Sequence, residues 1–107
     1  MRQAEVYMNS ILAGILTEED NGSYVFRYDD EYFNDRSKPS ISLTLPKTQQ
    51  EYRSETLFPF FFNMLSEGAN KQYQAHLYRL DENDYFRFLV ETANNDNIGA
   101  VTFKWIK

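Results

Sequence analysis

A chain of 107 residues suits one domain, 1–107, and is too small for a two-lobed enzyme with a cleft between lobes. Its 42% hydrophobic and 17% aromatic content supplies a real core. Sixteen acidic residues against eleven basic ones give a net charge of −5, and no segment clusters Lys and Arg, which argues against direct DNA or RNA binding.

Residues 4–16 read as a hairpin. Val6 and Met8 alternate with polar or amphipathic neighbours, Asn9-Ser10 supplies a turn, and Ile11 to Leu16 returns as a second strand. Gly14 inside that strand predicts a bulge or a close backbone contact. Thr17 to Gly22 is an acidic loop closed by Asn21-Gly22, a strong turn signal. Ser23 to Tyr28 is a third strand, with Tyr24, Phe26 and Tyr28 on one face and Val25 on the other. Asp29 to Lys38 is polar and irregular, with room for one helical turn around Tyr32-Phe33, and Pro39 ends it. Ser40 to Leu45 is the cleanest strand pattern. Ile41, Leu43 and Leu45 alternate with Ser42 and Thr44, which predicts one buried and one solvated face. Pro46 stops it, and Lys47 to Arg53 reads as a polar connection.

Leu57-Phe58-Pro59-Phe60-Phe61-Phe62-Asn63-Met64-Leu65 is too apolar for one helix face. As a helix it spreads apolar side chains over about 200°, where a surface helix needs about 100°. Either the domain buries such a helix on several sides or a partner covers the remainder. Ser54 is its N-cap candidate, Pro59 falls near the first turn where its missing N–H costs least, and Gly68 closes it. Lys71 to Leu80 suits a second helix with Tyr73, Leu77 and Leu80 as its stripe. Asp81 to Asp84 offers N-caps for a third, Tyr85 to Ala93, with Tyr85, Phe86, Leu89 and Ala93 on one side. Asn94 to Asn97 is a turn, and Ile98 to Ile106 a final strand with Val101, Phe103 and Trp105 facing one way. The order predicts an α+β fold, a mainly antiparallel sheet of about five strands with about three helices packed on it.

The chain contains no cysteine, so a disulfide framework and thiolate metal sites are excluded, and a cytosolic setting fits. Its N-terminus lacks an apolar signal core and no run approaches membrane-spanning length. A cytoplasmic protein with no membrane association is expected. His76, the one histidine, sits beside a predicted apolar stripe, where histidines are usually structural or surface groups. Nothing around it builds a nucleophile–His–acid set. Asp29-Asp30-Glu31 and Asp81-Glu82-Asn83-Asp84 lack the alternating ligands and central glycine of a calcium loop and read as turns and helix caps. The four glycines, at 14, 22, 68 and 99, form no phosphate-cradling loop. The Gly-rich loop, His-Arg-Asp and Asp-Phe-Gly segments of a protein kinase are missing too. No catalytic residue, cofactor or metal is therefore expected.

Several segments together resemble a known family. Val6 to Asn9, Gly14 and Leu16 are similar to the opening hairpin of the HipA N-terminal subdomain, and Asn21-Gly22-Ser23-Tyr24-Val25-Phe26-Arg27-Tyr28 to its third strand. Pro39-Ser40-Ile41-Ser42-Leu43-Thr44-Leu45-Pro46 resembles the family's Pro-Leu-Ser-Leu-Ser-Leu-Pro segment, the most specific match. Phe61-Phe62-Asn63-Met64-Leu65 resembles a following Phe-Phe-x-x-Leu-Leu helix, and Ile98-Gly99-Ala100-Val101 a closing Val-Gly-Ala-Val strand. The matches run in order along nearly the whole chain.

The resemblance implies a domain that normally precedes the body of a bacterial Ser/Thr toxin kinase. A chain expected to lack that body resembles the split HipBST arrangement, in which a small HipS-like antitoxin is encoded beside a shortened HipA-like kinase and a helix-turn-helix HipB-like protein. The expected partner is that separately encoded kinase, with the HipB-like protein joining through the complex. The alternative is a structural subunit that completes or activates the split kinase. The candidate interface residues are Phe58, Phe60, Phe62, Ser66, Glu67, Gly68, Ala69, Asn70 and Trp105. One departure concerns Ser66, which stands where the family commonly has Pro. No bulky residue follows Gly68, so Ala69 is a poor plug for a kinase site.

Overall fold

The computed structural model describes residues 1–65, 76, 81, 83–91 and 101–106 in full and 92–96 as backbone. Five antiparallel strands lie in the order β4-β3-β2-β1-β5. They are β1 Arg2–Met8, β2 Ile11–Glu18, β3 Tyr24–Tyr28, β4 Glu51–Ser54 and β5 Val101–Ile106. Three helices are described: α1 Asp30–Asn34, α2 Pro59–Phe62 and α3 Tyr85–Asp96. The α+β architecture expected from the sequence is what forms.

Local chemistry sets the first hairpins. Asn9 and Ser10 both take positive φ, 51° and 68°, as the tight turn between right-twisted strands requires. Pairing then slips from Val6↔Gly14 to Tyr7↔Leu12, leaving Ala13 as the extra residue of a bulge. A Cβ on Gly14 would stand 2.4 Å from the Arg27 carbonyl oxygen and 2.8 Å from the Phe26 ring, so both the bulge and the close approach predicted at Gly14 are present. Gly22, at φ +88°, turns the chain from β2 into β3, and the Asn21 side chain accepts the Ser23 N–H at 2.9 Å.

Side-chain alternation turns Ala4 and Val6 of β1, Leu16 of β2, Tyr24, Phe26 and Tyr28 of β3, and Val101 and Phe103 of β5 toward one buried core. The helices gather on this face. Tyr32 of α1 stacks on Tyr28 at 5.9 Å, Phe61 of α2 meets Phe26 and Phe103 at 5.8 and 5.9 Å, and Phe86 of α3 meets Tyr24 and Trp105 at 6.4 and 5.5 Å. Such ring pairs add about 0.5–1.5 kcal/mol each beyond burial.

Four expectations are corrected. Ser40 to Leu45 is not a strand. The Ser42 hydroxyl accepts the Thr44 N–H at 3.1 Å and the Leu45 N–H reaches the Ser42 carbonyl at 3.2 Å, so the segment folds into a turn. The buried Tyr28 hydroxyl pins both its ends, accepting the Ile41 N–H at 3.0 Å and donating to the Leu45 carbonyl. Ile41 and Leu45 are buried, whereas Leu43, at the tip, is 99% exposed. The fifth strand comes instead from the supposed polar connection. Glu51–Ser54 pairs with β3, because the β3 edge needs a backbone partner and a short, charged strand suits the sheet margin.

The apolar block is not a long helix either. Ser54 lies in β4, and α2 begins after Phe58 with Pro59 in its first turn. It lasts one turn. From Met64 and Leu65 the amide bonds shorten to Phe61 and Phe62, three residues back. The fourth correction is at α3, which continues through 94–96, where a turn was expected. Of the helix predicted over 71–80, only His76 lies within the described residues. It is helical and exposed. Ile98 to Ala100, the start of the predicted last strand, lie outside the described residues.

Candidate partner-binding groove

The short α2 decides where the phenylalanines go. Phe58 and Phe61 turn inward, Phe60 is half-buried, and Phe62 remains 43% exposed. Beside Phe62 lies a groove of about 500 Å³ whose apolar walls are Tyr24, Leu57, Pro59, Phe62 and Tyr85. Phe62 and Tyr85 meet edge to face at 5.5 Å along its wall. Among the described residues, Gly22, Thr56, Asn63 and Glu55 also line it, Glu55 being the one acidic side chain. Tyr24 and Leu57 are buried beneath, while Pro59 and Phe62 are exposed and Tyr85 half-buried, so apolar surface is left open in one concavity.

A charged cluster next to the groove ties down Tyr24 and the start of the helix that carries Tyr85. Arg2 donates through both terminal nitrogens to Asp84 at 2.9 and 2.7 Å, and through Nε to Glu18 at 2.8 Å. Its guanidinium also lies 5.3 Å from the centre of the Phe86 ring. Glu18 in turn accepts the Tyr24 hydroxyl at 3.2 Å. The Arg2 hydrogen bond holds the Asp84 carboxyl below its usual range. Burial, reinforced by Glu18, pushes the Tyr24 phenol up to about 12. Asp84 also caps α3 by accepting the Arg87 N–H at 3.3 Å, so one side chain fastens the start of α3 to β1 and β2. The acidic run 81–84 thus acts through caps and turns, Asp81 accepting the Asn83 N–H at 2.8 Å.

The sequence-derived candidates are only partly gathered here. Phe62 lines the groove, Phe60 flanks the core, and Phe58 packs within it. Ser66, Glu67, Gly68, Ala69 and Asn70 lie outside the described residues. Trp105 is elsewhere, on the α3–β5 seam, half-buried, with its indole N–H donating to Glu91 at 2.9 Å. Sequence reasoning missed Tyr24, Glu55 and Tyr85 as groove walls. Tyr85 was legible as the residue flanking the Phe86–Leu89 stripe, whereas Glu55 and Tyr24 carried no local signal.

A second hollow of about 640 Å³ lies between Ile11, Leu12 and Tyr32 and the acids Asp29, Asp30, Glu31 and Asp35. Asp30 there takes the Gln50 amide at 2.6 Å, and Asp35 is held low by hydrogen bonds from Ser37. No group of three or more acids and histidines is placed to hold a metal among the described residues. No described helix is long and apolar enough to cross a membrane. The Phe62 groove offers apolar contact and one carboxylate. That chemistry suits binding better than bond-breaking.

Comparison with known proteins agrees with this architecture. Residues 4–104 match the family model of the HipA N-terminal domain. An uncharacterized protein of Haemophilus influenzae (strain ATCC 51907 / DSM 11121 / KW20 / Rd) is 36% identical over 101 residues, covering 94% of this chain and 90% of that protein. A solved structure, the N-terminal domain of HipA toxin, superposes with a TM-score of 0.72 at 28% identity, over 100% of this chain and 94% of that one. The chain belongs to the HipA N-terminal domain family.

Proposed function

We propose that this domain is a non-catalytic, cytoplasmic antitoxin that binds a separately encoded HipA-like Ser/Thr kinase and neutralises it. The observation that carries this reading is the open aromatic groove around Phe62 in a HipA N-terminal domain. A stand-alone role is supported by the Haemophilus relative, which is itself of nearly this length, since the aligned 101 residues are 90% of it. Ser66 to Asn70 follow the groove in sequence and extend the proposed contact. Trp105 remains a second candidate contact.

The test is co-expression with a separately encoded HipA-like kinase of the same genome. Growth arrest by the kinase is relieved, the two proteins co-purify, and target phosphorylation falls when this protein is added. Phe62→Ala weakens the complex by about thirtyfold or more, the cost of removing an interface anchor worth 2 kcal/mol. It leaves the domain folded, because that ring is largely outside the core. Unchanged kinase toxicity with this protein present refutes the antitoxin reading. A rise in phosphorylation gives the opposite sign and makes the domain a supporting subunit.

A further inference from the structure

We infer that the Phe62 groove selects a partner segment presenting a bulky apolar side chain next to a lysine or arginine. This rests on the reading that the domain docks onto a protein, and it adds the chemistry of the docked segment. The groove's walls are apolar, and among the described residues Glu55 is the acidic side chain that lines it. Glu55 is exposed and makes no ion pair among the described residues.

Three cations described on the neighbouring strands and N-terminus are already engaged. Arg53 holds Glu19 at 3.2 Å and Glu51 at 3.5 Å. Arg2 is taken up by Glu18 and Asp84, and the N-terminal amine by Asp20. An apolar anchor entering beside Phe62 therefore meets the exposed Glu55 carboxylate at the rim. An adjacent basic side chain gains attraction there, and an acidic one is repelled. A second copy of this chain fits poorly, because face-to-face docking would set Glu55 against Glu55 on molecules already at −5.

The test titrates the isotope-labelled full chain, followed by NMR, with two six-residue capped peptides, GRLFRG and GELFEG. The amides of residues 55–58 and 60–63 and of Tyr85 shift, and the basic peptide binds about fivefold or more tighter at low salt. Glu55→Gln narrows that preference to about twofold or less, and so does raising the salt to about 0.5 M, where the Debye length falls below about 5 Å. Equal affinity for both peptides, binding of neither, or shifts centred elsewhere overturn the proposal. So does self-association that shifts the same amides without peptide. The kinase arm separates the two claims. A complex that Phe62→Ala destroys but Glu55→Gln and salt leave unchanged keeps the docking reading and sinks the charge selection. Groove binding of the basic peptide with no kinase complex does the reverse.

Discussion

The Tyr28 hydroxyl holds together the segment between Pro39 and Pro46, and Tyr28→Phe removes that one oxygen while keeping the ring. The ring is fully buried, and so are both hydrogen bonds of the hydroxyl. The substitution leaves the Ile41 N–H and the Leu45 carbonyl buried and without this partner. An orphaned buried backbone group costs about 1–3 kcal/mol, partly offset because the phenol no longer has to be desolvated. A net loss of about 2–3 kcal/mol follows, which in a domain of this length lowers Tm by about 10–15 °C. Urea titration reads the change directly, with Trp105 as the single tryptophan reporting on the core. Tyr32→Phe is the internal control. Its hydroxyl donates to the Pro39 carbonyl at 2.7 Å from a less enclosed position, and its loss costs about 1 kcal/mol. A Tyr28→Phe protein within about 0.5 kcal/mol of the parent, the scatter of ordinary surface changes, refutes the hub. So does a Tyr32→Phe cost equal to or above that of Tyr28→Phe.

Two further outcomes can be stated. Gly14→Ala places a methyl against the Arg27 carbonyl oxygen and the Phe26 ring and destabilises the domain by about 2–3 kcal/mol or more. An unchanged urea midpoint would show that the bulge gives way freely. Asp84→Asn tests the Arg2 clamp through pH, since asparagine keeps an acceptor for the α3 cap but loses the charge. The Asp84 carboxyl is depressed in the folded state, so its contribution is fully present above the unfolded pKa of about 3.9 and fades as pH falls through the lower folded value. The stability gap between parent and variant is therefore constant near neutrality and closes below about pH 4. A gap that persists undiminished at about pH 2.5 refutes the assignment.

Much of the fold was legible because its signals are local. Asn9-Ser10 and Asn21-Gly22 mark turns through the backbone angles those residues tolerate. Val6, Phe26 and Phe103 mark strands through alternation, and Phe86 and Leu89 a helix through its period. Alternation failed at Ile41, Leu43 and Leu45. A turn that buries the first and last and exposes the middle has the same apolar-polar order as a strand. The candidate groove was half legible. An excess of phenylalanine flagged the region, but a helix of one turn, not four, determined that Phe62 faces out.

The sequence by itself determined the hairpins, the third helix, the closing strand and the absence of thiol chemistry. Those depend on the conformational preferences of neighbouring residues and on composition. Only the tertiary structure decided that Glu51–Ser54 completes the sheet, that Tyr28 ties down the Pro39–Pro46 segment, and that Tyr24, Glu55, Phe62 and Tyr85 enclose one groove. Each of these depends on which buried backbone group or apolar face still lacks a partner once the rest of the chain has packed. That is a property of residues far apart in sequence, and no short window of sequence encodes it.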